Sequence, residues 1–100
     1  MQPNQTIHVV AHLVGLPEKV DQLKAVLLEL VELTRQEAGC IKYELLQNES
    51  NPTDFTFVEV WATPQALDTH LNSPSMKAAG AKLVGLLASE PDIRRYNLVG

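Results

Sequence analysis

One long apolar stripe between residues 17 and 37 constrains the fold more than any other feature of this sequence. Apolar side chains recur there at spacings of three and four residues, and charged side chains fill most of the other positions. This pattern predicts an amphipathic helix that buries one face. Pro17 suits the first turn of such a helix, and Gly39 suits its C-terminal cap. The stripe consists of Val20, Leu23, Val26, Leu27, Leu30, Val31 and Thr34.

Runs of β-branched and alternating apolar residues surround this helix and predict strands. Pro64 opens a short helix that ends at His70, and a further helix is predicted over residues 75–88. The resulting order is β-α-β-β-α-β. With right-handed crossovers, this order predicts an α+β, ferredoxin-like fold in which both helices cover one face of a four-stranded antiparallel sheet. The four strands are predicted over residues 6–14, 40–47, 54–61 and 93–99.

Composition restricts the class of protein. One hundred residues, 45% hydrophobic and 20% charged, indicate a single globular domain over residues 1–100, with a frayed polar lead at 1–5. The net charge of −4 argues against a nucleic-acid partner. No signal peptide and no apolar stretch of about 18 residues is visible, so no membrane partner is expected. The single Cys40 fits a reducing compartment, and the predicted location is the cytoplasm.

The short length also bears on where a pocket can form. A chain of this size buries roughly two-thirds of the surface that its unfolded form exposes. That permits a core but leaves little room for a deep cavity within one copy. We therefore expect a large pocket to lie between two copies in a homodimer.

The third predicted strand carries large residues on one face and small ones on the other. Thr56, Val58 and Val60 are small enough to lie beneath a helix, so this side is predicted to face the helices. The opposite face is then too aromatic to be left in water, and we expect a second copy to cover it. That face would combine His8, Val10, His12, Phe55, Phe57, Glu59 and Trp61.

Glu59 and Trp61 are two residues apart on a strand, so their side chains point the same way, about 7 Å apart. As a pocket wall, Trp61 would offer an aromatic stacking surface and Glu59 would fix a polar group. The plainer alternative is an interface tryptophan beside a glutamate that pairs with Arg94 or Arg95.

The three histidines and two tyrosines allow more than one interpretation. His70, at the end of a short helix, suits a general base or a hydrogen-bond donor to a substrate oxygen. The alternative is a surface histidine that interacts favourably with the helix dipole. His8 and His12 lie about 13 Å apart along a strand, so one metal ion cannot bind both, and no metal site is predicted. Tyr43 and Tyr96 are structural residues or phenol donors to the same cavity.

Three stretches, in the order EAGCIKYELL, NPTDFTFVEVW and ALDTHLNSP, resemble the antibiotic biosynthesis monooxygenase domain family. The resemblance covers about residues 6–98. Its most specific pieces are Gly39-Cys40 with Tyr43-Glu44, the pair Glu59-x-Trp61, and His70 nine residues after the tryptophan. The resemblance implies a dimeric α/β barrel.

The resemblance also implies a chemistry. A small electron-rich aromatic hydroxyl compound, of the hydroquinone or anthrone type, would react with molecular oxygen to give a quinone, without flavin, haem or metal cofactor. The protein then needs a base, a donor to the substrate anion and a dry aromatic slot. His70, Glu59 and Trp61 are the candidate catalytic residues for these roles. The candidate substrate-binding residues are His8, His12, Tyr43, Phe57 and Tyr96.

Two departures from the family pattern narrow this expectation. Many relatives carry a second histidine where this chain has Ser75, and the haem-degrading branch has a histidine ligand where this chain has Gly80. Haem degradation is therefore disfavoured. The remaining alternatives are a non-catalytic barrel that binds a small molecule, a purely structural dimer, and an isomerase of the type that degrades phosphorylated autoinducer-2.

Overall fold

The computed structural model describes residues 5–100. Apart from Gln5, the predicted N-terminal lead lies outside the described residues. A 3₁₀ turn over Pro17–Lys19 precedes the first helix. The elements, in chain order, are β1 (Ile7–Val14), α1 (Val20–Thr34), β2 (Cys40–Gln47), β3 (Asp54–Trp61), α2 (Pro64–Leu71), α3 (Pro74–Leu83) and β4 (Asp92–Tyr96).

The four strands form one antiparallel sheet in the order β2-β3-β1-β4. This arrangement is the ferredoxin-like α+β fold, so the predicted fold class is confirmed. The predicted bounds of β2 and β3 match those observed. The last helix, however, ends at Leu83, five residues before the predicted end. Among residues 5–100, no helix has the length and apolar character needed to cross a membrane.

The helices begin where local side-chain chemistry favours a start. Thr63 accepts a hydrogen bond from the backbone N–H of Ala66 at the start of α2, and Ser73 accepts one from Met76 at the start of α3. A proline follows each of these caps at the first helical position. On α1, the predicted stripe is the buried face, with Leu23, Leu27, Leu30, Val31 and Thr34 buried.

The pairing of β1 with β3 decides which side of the sheet each residue faces. Val9 lies opposite Glu59, and Ala11 lies opposite Phe57. Directly paired residues share a face of the sheet. The aromatic and acidic side of β3 therefore lies beneath the helices, together with the buried side of β1, and the prediction that placed it on the opposite face was wrong. Large side chains are needed there because they fill the space between the sheet and the helices.

The other face of the sheet, here called the open face, carries the smaller residues. Val58 and Val60 of β3 lie there beside residues of β1, and Val10 remains 37% exposed. His12 contacts the Asp54 carboxylate on the same face. The remaining members from these strands include His8, Thr56, Arg94 and Tyr96.

Candidate active site

A cavity of about 190 Å³ lies between the sheet and the helices of a single chain. The sequence predicts a large pocket between two copies, and a single copy already contains this cavity, because its helices leave space above β1 and β3. Its wall is almost wholly apolar, and the exceptions are Tyr43, Glu59 and His70. The other lining residues are Val9, Ala11, Leu13, Leu27, Leu30, Phe57, Leu71, Met76, Ala79, Gly80, Leu83, Pro91 and Ile93.

Glu59 is a buried carboxyl group on β3, with only 4% of its surface exposed. The Trp61 indole Nε1–H donates a hydrogen bond of 2.8 Å to Glu59 Oε1. Burial raises the pKa of Glu59 to about 7, although the hydrogen bond from Trp61 lowers it, and the charge of Glu37 adds to the rise. Glu59 can therefore accept or donate a proton near neutral pH.

The alternative pairing of Glu59 with an arginine is wrong. Arg94 donates a hydrogen bond to Asp92, and Arg95 donates one to Asp68. The partner of Glu59 is instead the indole of Trp61, which lies on the same strand.

His70 is 1% exposed and lies on the face of α2 that meets the sheet, so the surface-histidine alternative is wrong. Its ring stacks on Trp61 with centroids 4.6 Å apart. Its Nδ1 lies 2.9 Å from Glu37 Oε1. A carboxylate accepts hydrogen bonds, so Nδ1 carries the proton of the neutral ring and Nε2 carries the lone pair. Burial lowers the pKa of His70, and the hydrogen bond and charge of Glu37 oppose that change. At neutral pH, His70 is an uncharged base.

Tyr43 of β2 is buried between the other site residues. Its ring centroid is 5.0 Å from Phe57, 5.6 Å from His70 and 6.4 Å from Trp61. Burial raises the pKa of Tyr43 well above its ordinary value, and the negative charge of Glu59 raises it further. Tyr43 therefore stays protonated, and its hydroxyl, which also interacts with Thr34, can donate a hydrogen bond.

The structure thus brings together five of the eight candidate residues, namely Tyr43, Phe57, Glu59, Trp61 and His70. Four of them line the cavity, and Trp61 is the side chain that contacts both Glu59 and His70. The structure does not bring His8, His12 and Tyr96 to this cavity, because their register positions place them on the open face.

Glu37 is the site residue that sequence reasoning missed. It lies three residues beyond the end of α1, in a turn that ends at Gly39. Gly39 has a φ of 83°, and a Cβ atom there would lie 2.5 Å from the Cβ of Ala66. This close approach packs the turn against α2 and places Glu37 beside His70. The available signal was a carboxylate two residues before Gly39, the glycine predicted to cap the helix.

The site offers little to a metal ion. Within residues 5–100, no group of three or more histidine, cysteine or acidic side chains is close enough together to hold one. The cavity wall contains no lysine or arginine among the described residues. The arrangement is thus an apolar, mostly aliphatic cavity with one neutral imidazole, one carboxyl group that titrates near pH 7 and one phenol.

Comparisons with known proteins agree with this architecture. The sequence model of the antibiotic biosynthesis monooxygenase family matches residues 6–82. An uncharacterized protein of Synechocystis sp. is 33% identical over 82 residues, which are 82% of this chain and 56% of that protein. The chain thus spans little more than half the length of that relative.

Solved structures share the whole fold. A conserved protein from Methanosarcina mazei Go1 is 34% identical with a TM-score of 0.87, covering 93% of this chain and 92% of that chain. An antibiotic biosynthesis monooxygenase is 28% identical with a TM-score of 0.88, covering 94% of this chain and 99% of that chain.

Proposed function

The chain belongs to the antibiotic biosynthesis monooxygenase family, and from this premise we propose that it oxidises a small aromatic hydroxyl compound to a quinone with molecular oxygen. The observation that carries the proposal is the position of His70, a buried and neutral imidazole in the wall of an apolar cavity. None of the described lining residues is a lysine or an arginine. A buried base of this kind suits removal of a phenolic proton. The phenolate that results can pass one electron to oxygen, which the neutral phenol does only slowly.

The size of the cavity favours one of the two substrate types. A dry cavity of roughly 150 Å³ lined by apolar side chains binds benzene. The present cavity, at about 190 Å³, is only slightly larger. We therefore propose a one-ring substrate of the hydroquinone type rather than a three-ring anthrone.

The proposed reaction conserves atoms and electrons. His70 Nε2 takes the phenolic proton, and the phenolate transfers one electron to oxygen. The two radicals recombine to form a carbon–oxygen bond at a ring carbon that bears hydrogen, and His70 returns its proton to the distal peroxide oxygen. Loss of the ring proton then breaks the O–O bond, so that hydroxide and this proton leave as water. One oxygen atom stays on the ring, which becomes a hydroxyquinone when the substrate is a hydroquinone.

The first proton transfer is uphill, and the remaining site residues would lower its cost. A phenol has a pKa of about 10, roughly 3 to 4 units above that of an imidazole, so the transfer to an ordinary imidazole costs about 5 kcal/mol. Burial lowers the pKa of His70 and adds to this cost. The Tyr43 hydroxyl and the protonated form of Glu59 would donate hydrogen bonds to the phenolate. Trp61 would keep both Glu59 and His70 in position through the contacts described above.

The charge of the cavity wall weighs against the isomerase alternative. A phosphorylated substrate brings a dianion, which proteins bind with arginine, lysine or clustered backbone N–H groups. The described lining residues offer a carboxyl group and no cationic side chain. An uncharged substrate fits this wall better.

We also propose that residues 1–100 act as one domain and that two copies form a homodimer through their open faces. Valine side chains line this face, and Val10 is more than a third exposed. A second sheet packed on it would remove these side chains from water. The cavity would remain within each copy, on the far side of the sheet.

The direct test is oxygen consumption by chelator-treated protein with hydroquinone, methylhydroquinone and anthrone. We expect uptake with the one-ring compounds and incorporation of one atom of labelled oxygen into the product. His70→Gln should lower turnover by roughly 10²- to 10⁴-fold. The matched control is His8→Gln, which changes a histidine on the open face.

Two results would overturn the proposal. One is no oxygen uptake above the uncatalysed rate with any compound. If calorimetry then still detects binding of a hydroquinone, the non-catalytic binding alternative is supported. The other is unchanged turnover in His70→Gln, which would remove the imidazole from the mechanism.

A further inference from the structure

We propose that Glu37 is a positioning residue that holds His70 in the tautomer with its Nε2 lone pair free for the substrate, and that it stabilises the imidazolium formed when Nε2 takes a proton. The catalytic part of this inference rests on the proposed function. The tautomer part concerns the resting protein and needs no substrate.

The contacts of His70 leave Glu37 as its polar partner. Trp61 stacks on one side of the ring, and Tyr43 meets it edge-on at 5.6 Å. Both are aromatic rings that hold the imidazole plane without fixing its protons. Within residues 5–100, the one side-chain hydrogen bond recorded for the ring joins Nδ1 to Glu37 Oε1, at 2.9 Å. This bond therefore selects the tautomer.

Glu37 reaches His70 from outside the cavity. Its side chain is 22% exposed, whereas His70 is 1% exposed. Glu37 is also absent from the cavity wall. It can therefore keep its charge in contact with water while one oxygen supports a buried ring. The neutral imidazole of His70 then faces the substrate, and the charged carboxylate of Glu37 faces the solvent.

The turn that carries Glu37 is held at several points. The backbone N–H of Glu37 donates to the carbonyl of Thr34, and the carbonyl of Glu37 accepts from Cys40. The carbonyl of Gly39 accepts from Ala62 at 2.8 Å, which ties the turn to the end of β3. A carboxylate on such a fixed turn is preorganised, so the imidazolium gains a partner without new ordering of the chain.

Three other titratable side chains lie in the neighbourhood of the His70 ring. Glu59 and Tyr43 line the same cavity, and Cys40 lies beyond the turn. Glu37 is the one of these four whose oxygen contacts the ring nitrogen. Without Glu37, a proton on Nε2 would leave a buried cation with Nδ1–H unpaired, which is costly.

The first test uses nitrogen NMR of the free protein with labelled histidine. In the native protein, we expect His70 as the neutral tautomer with its proton on Nδ1. Glu37→Gln keeps the shape but removes the charge, and its amide can donate as well as accept. We expect it to give mixed tautomers and a lower pKa for His70. Glu32→Gln removes an exposed carboxylate from α1 and should leave the His70 signals unchanged.

The second test measures turnover against pH in the same variants. Glu37→Gln should lower kcat by roughly 10- to 100-fold, as for other groups that orient a functional histidine, with little change in KM. The acid limb of the kcat profile should also move to lower pH, because the variant histidine loses its proton more readily. Glu37→Asp, which restores the charge, should recover part of the loss. If Glu37→Gln does not fold, Glu37→Ala, which removes both the charge and the acceptor oxygen, takes its place in both tests.

The outcomes separate the two proposals. An unchanged tautomer and unchanged titration of His70 in the variant would overturn the role of Glu37. If the native protein shows no turnover with any compound but the NMR result is as expected, the proposed function fails and the positioning role stands. A loss of turnover without any change in tautomer or pH profile would overturn the positioning role.

Discussion

The two faces of the sheet use the same strands for different purposes. The face beneath the helices holds an indole, a carboxyl group and aromatic rings, each fixed by contacts to the others. The open face holds valines and the two histidines of the central strand β1, and His12 pairs with Asp54 of the neighbouring strand. Burial shifts the pKa of Glu59 and His70 on the covered side, where water is excluded. The comparison teaches that enclosure beneath the helices is what moves these pKa values away from their ordinary range.

The largest expected difference between the two faces is in packing. Trp61→Ala should lower the free energy of unfolding by about 3–5 kcal/mol, because it leaves a cavity and removes the partner of two buried polar side chains. Val10→Ala on the open face should cost less than about 1 kcal/mol, since this valine is already partly in water. Urea unfolding followed by far-UV circular dichroism measures both. Equal losses would contradict the assignment of the faces.

The next effect concerns the charge of Glu59. Its pKa is raised in the folded state, so the unfolded chain gives up its proton first and stability falls as pH rises from about 4.5 through 7. The total loss is about 3 kcal/mol, because each pKa unit between the folded and unfolded states corresponds to about 1.4 kcal/mol. Glu59→Gln should remove this loss, and its advantage over the native protein should grow across that range.

The contribution of His70 to stability changes with pH in the opposite direction to that of Glu59. Its pKa is lowered in the folded state, so its contribution rises with pH up to about 6.5 and is lost as pH falls. The native protein and Glu59→Gln both contain His70. The difference between their unfolding free energies at each pH therefore reports the charge of Glu59 alone. The exposed Glu49→Gln variant is the control, and a matching change there would contradict the burial argument.

A smaller effect on stability is expected in the turn between α1 and β2, which carries Gly39 and packs against α2. Gly39→Ala should destabilise the protein by about 1–3 kcal/mol, because its φ is positive and its Cβ would collide with Ala66. Gly80→Ala in α3 meets no atom within 4 Å and should instead stabilise by up to about 1 kcal/mol. Thermal unfolding of the pair measures the contrast. A stable Gly39→Ala protein would show that the turn can move away from α2.

The smallest effect on the single chain is expected from a charge on the open face. Val10→Lys should change the unfolding free energy of the separated chain by no more than about 0.5 kcal/mol. It should nevertheless prevent the proposed dimer, because a partner sheet would bury the ammonium group. Light scattering after size-exclusion chromatography measures the mass. A dimer that survives this change would place the interface elsewhere.

Much of the fold could be predicted from local pattern. The stripe on α1 and the alternation along β1 each identify a buried face, and the turn residues fix the bounds of β2 and β3. The last strand ends at Tyr96, three residues before its predicted end. The orientation of β3 could not be predicted in the same way, because alternation shows which residues share a face and not which face the helices cover. Size alone predicts that Val58 and Val60 lie on the covered side. The deciding facts were the register with β1 and the hydrogen bond that makes Glu59 tolerable beneath a helix.

The candidate site divides in a similar way. Glu59, Trp61 and His70 could be selected from their spacing, whereas Glu37 could not, because it is 33 residues away from His70 in the chain. Such a contact depends on how a turn packs against a later helix. The sequence groups His8 and His12 with Glu59 on one face of the sheet, and therefore with the candidate site. The register of β1 against β3 places them on the opposite face.

The stacking of Trp61 on His70 has a practical consequence. This indole is the only one in the chain, so all tryptophan fluorescence originates beside the cavity. Imidazolium quenches a neighbouring indole more strongly than neutral imidazole does, and the emission should therefore follow the charge on His70 during a titration. A hydroquinone that enters the cavity should alter the same signal. The protein carries its own optical reporter, and ligand entry can be followed without a label or turnover.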